Sequence, residues 1–301
     1  MTITGADERI HAVEDPSEHW SDSLYFNLWD EESGLFLLTR IAVLPNRPAT
    51  TAGLIAWLGG KPAYAYGHNL AEAPLADWDD LAVAGLRYRE LEPLKTWEIT
   101  LEDGANRAVL QWEGFTGVVD YADNRQPLPK PVAWGHYEQS ARVTGQLEFN
   151  GHSINVNGAG QRDHSWGFRD WGGLQEWHWI TGFLGTEERR RSFNLFEVVQ
   201  SDGTRTVNGF VHDGGDDLMI VGAERKTNET GERSPTNVEL QLHTDGGRTF
   251  TLVGTAHGAE VPVRPAADGG ATVVHEQPMR FETDDGLDGY GIYELLENSR
   301  R

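Results

Sequence analysis

Asp-Gly and Asn-Gly pairs recur along the chain, as Asp103-Gly104, Asn150-Gly151, Asn157-Gly158, Asp202-Gly203, Asn208-Gly209, Asp213-Gly214, Asp245-Gly246, Asp268-Gly269 and Asp285-Gly286. Both central positions of a type I′ hairpin turn take a positive φ, which Asn, Asp and Gly tolerate best. Between these pairs lie segments such as Thr96–Leu101 (TWEITL), Ala141–Phe149 (ARVTGQLEF), Asn237–His243 (NVELQLH) and Arg248–Val253 (RTFTLV), in which apolar and polar residues alternate. That period of two predicts half-buried antiparallel strands. Windows that sustain helical spacing without Gly or Pro are scarce, so the fold class is all-β. Glycine is plentiful, 35 of 301 residues, which suits many short strands joined by tight turns.

A chain of this length makes two domains or one large β unit. Asn124–Pro131 (NRQPLPKP) is the best division, because Pro127, Pro129 and Pro131 stiffen the backbone and remove ladder donors. The expected domains are therefore 1–130 and 131–301, each with enough short strands for a closed barrel or strongly curved sheet.

Composition excludes several functions. The net charge of −22 repels phosphate backbones and anionic lipid surfaces, so nucleic acid is not an expected partner. The absence of Cys removes disulfides, iron–sulfur clusters, thiolate zinc sites and a cysteine nucleophile. The first residues, MTITGADERIHAVEDPSEHW, have no basic start followed by an apolar run, and no stretch is apolar enough for membrane insertion; a soluble, cytoplasmic protein is expected. Gly53–Lys61 lacks the glycine spacing of a phosphate loop, and Gly158–Asp163 lacks the third Gly of a dinucleotide fingerprint. Asp163 stands where a nucleophile elbow around Ser165 needs Gly. No cofactor is expected.

The remaining chemistry is concentrated in Gly158–Phe183, GAGQRDHSWGFRDWGGLQEWHWITGF. Period two places Arg162, His164 and Trp166 on one face of a strand and Asp163 and Ser165 on the other. In the next strand Glu176 and His178 share a face, and Trp177 and Trp179 share the opposite one. A structural role competes with a functional one: Arg162, Asp163, Arg169 and Asp170 have the composition of an ion-pair network that pins a turn. A metal set of His164, His178 and His212 has no recognised ligand spacing behind it, and no metal is expected.

Three segments carry a family resemblance: Pro93–Trp97 (PLKTW), His136–Gln139 (HYEQ) with Arg142-Val143-x-Gly145, and Arg162–Trp171 (RDHSWGFRDW). They resemble a bacterial family of two-domain lipocalin-like, or calycin-like, proteins related to carotenoid 1,2-hydratases, AttH-like proteins and fungal decalin-forming Diels-Alderases. The resemblance implies two lipocalin-like antiparallel β-barrels, the second carrying the RDHSWG motif, and a cavity for a hydrophobic ligand. It also implies active-site roles for His164 and Trp166. The hydratases use a Tyr and an Asp in a later strand, whereas the comparable strand here, Arg191–Glu197, offers Asn194 and Glu197.

Alkene hydration needs a carboxylic acid kept protonated by an apolar surrounding, a role open to Asp163 or Glu197. Faces of Trp166, Trp177 or Trp179 would stabilise the resulting carbocation, and a neutral His164 would take the proton of the attacking water. His178 and Asn194 complete the expected ligand-binding set. The leading expectation is thus a hydratase- or dehydratase-like lyase for a terpenoid- or polyketide-like molecule. The alternatives are a pericyclase in which Arg162 or His164 polarises a carbonyl, and a non-catalytic lipid or terpenoid carrier.

Overall fold

The computed structural model describes residues 3–47, 49–71, 77–186, 188–228, 234–265 and 272–298. As expected, the described residues are built almost wholly into antiparallel strands, with short 3-10 turns at Gly5–Glu8, Tyr121–Asp123 and Trp171–Gly173. Hairpin turns fall at most of the anticipated Gly pairs, Asp268-Gly269 lying outside the described residues; Asn150 and Gly151, for instance, have φ of 51° and 82° between two long strands. Asn157-Gly158 and Asn208-Gly209 instead lie inside strands. Neither glycine turns the chain: a Cβ on Gly158 would meet the Trp29 carbonyl oxygen at 2.1 Å, and one on Gly209 the Asn194 carbonyl oxygen at 2.0 Å.

Unit 1 comprises residues 1–120 and 133–169. Its strands are β1 (Trp20–Asp30), β2 (Leu35–Leu44), β3 (Ala49–Leu58), β4 (Lys61–Leu70), β5 (Asp80–Val83), β6 (Leu86–Glu92), β7 (Thr96–Asp103), β8 (Asn106–Gly114), β9 (Val119–Asp120), β10 (Gly135–Phe149) and β11 (His152–Phe168). They pair in the order β4-β3-β2-β1-β11-β10-β8-β7-β6-β5, with β9 beside β10. The sheet is nearly closed: at its two free edges the Tyr66 hydroxyl of β4 accepts a bond from the Gly85 N–H at 2.9 Å, next to β5. The core is aromatic, with Phe26 making edge contacts to Tyr88 and Trp112 at 5.0 and 5.4 Å.

Unit 2 comprises residues 121–132 and 170–301. Its strands are β12 (Leu174–Gly185), β13 (Arg190–Gln200), β14 (Arg205–Asp213), β15 (Asp216–Thr227), β16 (Asn237–Thr244), β17 (Thr249–Ala256), β18 (Val261–Val263), β19 (Thr272–Thr283) and β20 (Asp288–Asn298). They run β17-β16-β15-β14-β13-β12-β20-β19-β18, and pairing of β17 with β19 closes the barrel. Ile180, Leu195, Leu252 and Phe281 form part of its interior core.

The chain does not divide at 130/131. The Pro-rich segment belongs to unit 2, and the hairpin of β10 and β11 completes unit 1 by sliding β11 against β1. The RDHSWG motif therefore sits in the first barrel, not the second. Prolines marked a segment poor in ladder bonds, but such a segment can be a crossing between units as well as a boundary. No helix among the described residues is long and apolar enough to cross a membrane.

Candidate functional site

Register confirms the expected face alternation of β11. Arg162, His164 and Trp166 pair with Gln139, Tyr137 and Gly135 of β10 and with Phe26, Leu24 and Asp22 of β1, so these side chains share the barrel interior. Buried Arg162 does not pair with a neighbour in its own motif. Its Nη2 donates to Glu8 Oε1 at 2.8 Å and its Nε to Gln139 Oε1 at 2.9 Å. Burial pushes the Glu8 carboxyl up, but the Arg162 charge and bonds from Arg162 and Tyr137 hold it below its ordinary value.

His164, fully buried, lies with Nε2 2.7 Å from Asp22 Oδ1 and Nδ1 3.1 Å from the Tyr137 hydroxyl. That hydroxyl donates to Glu8 Oε1 at 2.7 Å. Asp22 also accepts from Trp78 Nε1 at 2.8 Å and from the His11 backbone N–H at 2.8 Å, and lies 3.0 Å from His11 Nδ1. Burial again opposes ionisation, yet His164 and these bonds keep Asp22 well below the usual carboxylate range. Trp166 is stacked on the His11 ring, centroids 3.8 Å apart and 4° from parallel. His11, Asp22 and His164 form the one group among the described residues whose donor atoms, all within 4.8 Å of one another, could hold a metal ion.

Asp163 faces the opposite way. Ser165 Oγ donates to it at 3.2 Å, His136 Nδ1 lies 2.6 Å from that same Oγ, and His136 Nε2 lies 3.0 Å from Glu138 Oε1. Burial raises the Asp163 carboxyl and lowers the His136 imidazole to about 4. Asp163 and His164 are thus on different faces of one strand and cannot serve one reacting bond as acid and base.

The other expected residues lie in unit 2 and are again split between faces. Glu197 and His178 are cross-strand partners facing the barrel interior with Leu195 and Leu295. Glu197 receives Arg205 Nη2 at 2.6 Å and Arg225 Nη2 at 3.1 Å. Although burial opposes it, the two guanidinium groups hold Glu197 at about 2, so it is a carboxylate at neutral pH and cannot be the proton donor. His178 Nδ1 lies 2.8 Å from the Tyr293 hydroxyl, and its Nε2 is 3.6 Å from Glu176. Burial lowers the His178 imidazole. His212, 2.8 Å from Asp217, belongs to another strand of this barrel, so the set His164, His178 and His212 is not assembled as a ligand cluster.

Trp177, Trp179 and Asn194 point from the opposite face of the unit 2 sheet. Asn194 is fully buried; its Oδ1 accepts a close hydrogen bond from the Tyr121 hydroxyl, and its Nδ2 has no partner among the described residues. Trp177 makes edge contacts to Trp171 and Phe196 at 4.9 and 5.5 Å.

The same face contains a group that motif reading missed. Across four adjacent strands Phe196, Trp179, Glu294 and Glu276 stand in one row, each directly paired with the next. Trp177 Nε1 donates to Glu294 Oε1 at 2.8 Å. Glu276 is 5 % exposed, and its Oε2 has no partner among the described residues. Burial first, then the facing Glu294, push the Glu276 carboxyl well above the carboxylate range. Two such carboxyls at paired positions resist ionising together, so a proton stays with the pair well above the ordinary carboxylate range. The available signal was a Glu inside each of two apolar stripes, Val274-x-Glu276-x-Pro278 and Ile292-x-Glu294-x-Leu296.

Comparison with known proteins follows the architecture. The profile of the family described as Domain of unknown function (DUF7064) matches residues 4–299. No curated protein sequence matches the chain. Among solved structures, an AttH candidate from Nitrosomonas europaea superposes with a TM-score of 0.72 at 15 % identity, covering 93 % of each chain. Kievitone hydratase from Nectria haematococca gives 0.66 at 12 % identity, covering 98 % of this chain and 93 % of its own. CghA with Sch210972 gives 0.67 at 13 % identity, covering 94 % and 89 %. At these identities the likeness is one of fold, and it is the two-barrel fold that the RDHSWG resemblance implied.

Proposed function

The chain belongs to the DUF7064 family, and from that premise we propose that it is a hydratase- or dehydratase-like lyase acting on an unsaturated, hydrophobic small molecule of terpenoid or polyketide type. The observation that carries this reading is the Glu276–Glu294 pair set in one row with Trp179 and hydrogen-bonded to Trp177. Protonating an isolated double bond takes a carboxyl that keeps its proton above the ordinary range, and burial with a facing carboxyl raises Glu276 where two guanidinium groups lower Glu197.

In the proposed reaction the alkene π electrons take the Glu276 proton and form a C–H bond. The positive charge then sits on the more substituted carbon, attracted by the Trp177 and Trp179 faces and by the carboxylates left behind. A water oxygen adds to that carbon, and its surplus proton returns to the glutamate pair. The net change is addition of H and OH across the double bond; dehydration is the same sequence reversed. The fold shared with kievitone hydratase supports this chemistry.

A carrier reading draws on one feature, the Asn194 Nδ2 that has no partner among the described residues and stands beside aromatic side chains, which suits capture of a ligand carbonyl without any reaction. Incubation in heavy-oxygen water with a panel of terpenoid and polyketide alkenes separates the readings. A lyase incorporates the label, and Glu276→Gln lowers incorporation by roughly two to four orders of magnitude while the melting temperature holds. Ligands that quench Trp fluorescence yet never acquire label would leave a carrier or a pericyclase.

A further inference from the structure

His11 and His164 reach one buried carboxylate from two sides. The Tyr137 hydroxyl donates to Glu8 Oε1 and lies 3.1 Å from His164 Nδ1. The other ring nitrogen of His164, Nε2, faces Asp22 Oδ1 at 2.7 Å, and His11 Nδ1 faces Asp22 Oδ2 at 3.0 Å. Donor atoms of the three side chains all lie within 4.8 Å of one another, an arrangement that two imidazoles and a carboxylate also take around one cation.

Asp22 already has neutral donors on both oxygens, Trp78 Nε1 on Oδ1 and the His11 backbone N–H on Oδ2, each at 2.8 Å. Two imidazole nitrogens converge on the same carboxylate in addition. We propose that His11 Nδ1, Asp22 and His164 Nε2 bind a divalent transition-metal ion of the zinc class, through two imidazoles and one carboxylate.

The donor types are those of zinc and its neighbours, which imidazole and carboxylate suit together. Around a tetrahedral ion with bonds of about 2.0–2.1 Å, ligand atoms stand roughly 3.3 Å apart. His164 Nε2 now lies 2.7 Å from Asp22 Oδ1 and His11 Nδ1 3.0 Å from Oδ2, with all donor atoms within 4.8 Å of one another, so loading needs these side chains to shift until their separations match. Supporting contacts that usually orient metal ligands are in place. The Tyr137 hydroxyl holds the His164 ring at Nδ1, Trp78 fixes the carboxylate, and Trp166 stacks on His11. Asp22 and His164 are sealed from water while the His11 side chain is 20 % exposed, so entry and any free coordination position lie on the His11 side.

The site stands on unit 1 residues alone and is independent of the lyase reading. The test uses the whole chain, stripped with chelator and dialysed, then titrated with Zn²⁺ by calorimetry and with Co²⁺ by visible absorption. The expected result is one ion per chain, a visible band for bound Co²⁺, and a higher melting temperature with Zn²⁺. His11→Ala, at a partly exposed position, should keep the metal-free melting temperature and weaken binding by more than about a hundredfold. Absence of one-to-one binding, or a folded His11→Ala variant that binds as tightly as the parent, would overturn the proposal. So would nitrogen NMR of the metal-saturated sample showing protons on both His164 nitrogens, because a proton on Nε2 would then stand where the ion must bond.

Discussion

Arg162 reaches Glu8, 154 positions earlier in the chain, with an N–O separation of 2.8 Å and both side chains buried. The guanidinium also lies over the Tyr137 ring at 5.4 Å and near the Trp97 ring at 5.7 Å. Removing one partner leaves a charge in that aromatic surrounding. Glu8→Ala should therefore destabilise unit 1 by about 3–5 kcal/mol, read from urea unfolding. A change below about 1 kcal/mol would show that the N-terminal turn is not held by this pair.

The Glu276 carboxyl gives stability a pH dependence of defined sign. Its folded value is raised, so the folded state binds more protons than the unfolded one above the model-peptide range. The contribution is fully present below a pH of about 4.3 and declines as pH rises through the folded value, by at most about 1.4 kcal/mol per pH unit. Unfolding curves followed upward from about pH 4 should show this decline in the parent and a flatter profile in Glu276→Gln. Identical slopes would remove Glu276 as the protonated group.

Glu197 carries the opposite sign. Its folded value of about 2 lies below its ordinary value of 4.5, so its contribution is present above that range and is lost as pH falls toward 2. Glu197→Gln should cost about 2–4 kcal/mol at pH 7, less than the buried-pair figure because Arg205 is partly hydrated. Thermal melts at pH 7 and pH 3 check it: the gap between parent and variant should shrink at the lower pH.

Gly135 tests how tightly the His11 side of unit 1 is packed. A Cβ there would stand 2.1 Å from Trp166 Cζ2, and the Trp166 ring is the surface on which His11 lies. Gly135→Ala should cost about 1–3 kcal/mol through overpacking. It should also weaken Zn²⁺ binding, since the displaced ring would carry His11 away from Asp22. A stable variant with unchanged near-ultraviolet circular dichroism would contradict the geometry.

Strand content was readable because period two and turn residues are local signals, and β11 obeys them from Arg162 to Trp166. The domain cut was not, since whether β11 joins β1 depends on pairing between residues more than a hundred positions apart. Site residues divide in the same way. His164 and Trp166 stood out in a dense motif, whereas Glu8, His11 and Asp22 come from an unremarkable acidic start and meet His164 only through that pairing. Glu197 read as a lone acid because Arg205 and Arg225, which neutralise it, lie on other strands. Glu276 and Glu294 are partners only across two strands, and each alone reads as a polar residue in a half-buried segment.

The place of β11 between β1 and β10 has a consequence for synthesis. A ribosome delivers β1 through β8 well before β11 exists, so the edge of β1, with Leu24 and Phe26 bare, must wait for about 120 further residues. During that interval the nascent chain offers other molecules an open strand edge. A chain terminated after residue 132 would never lose that edge, and is expected to accumulate in inclusion bodies rather than as a separate folded half.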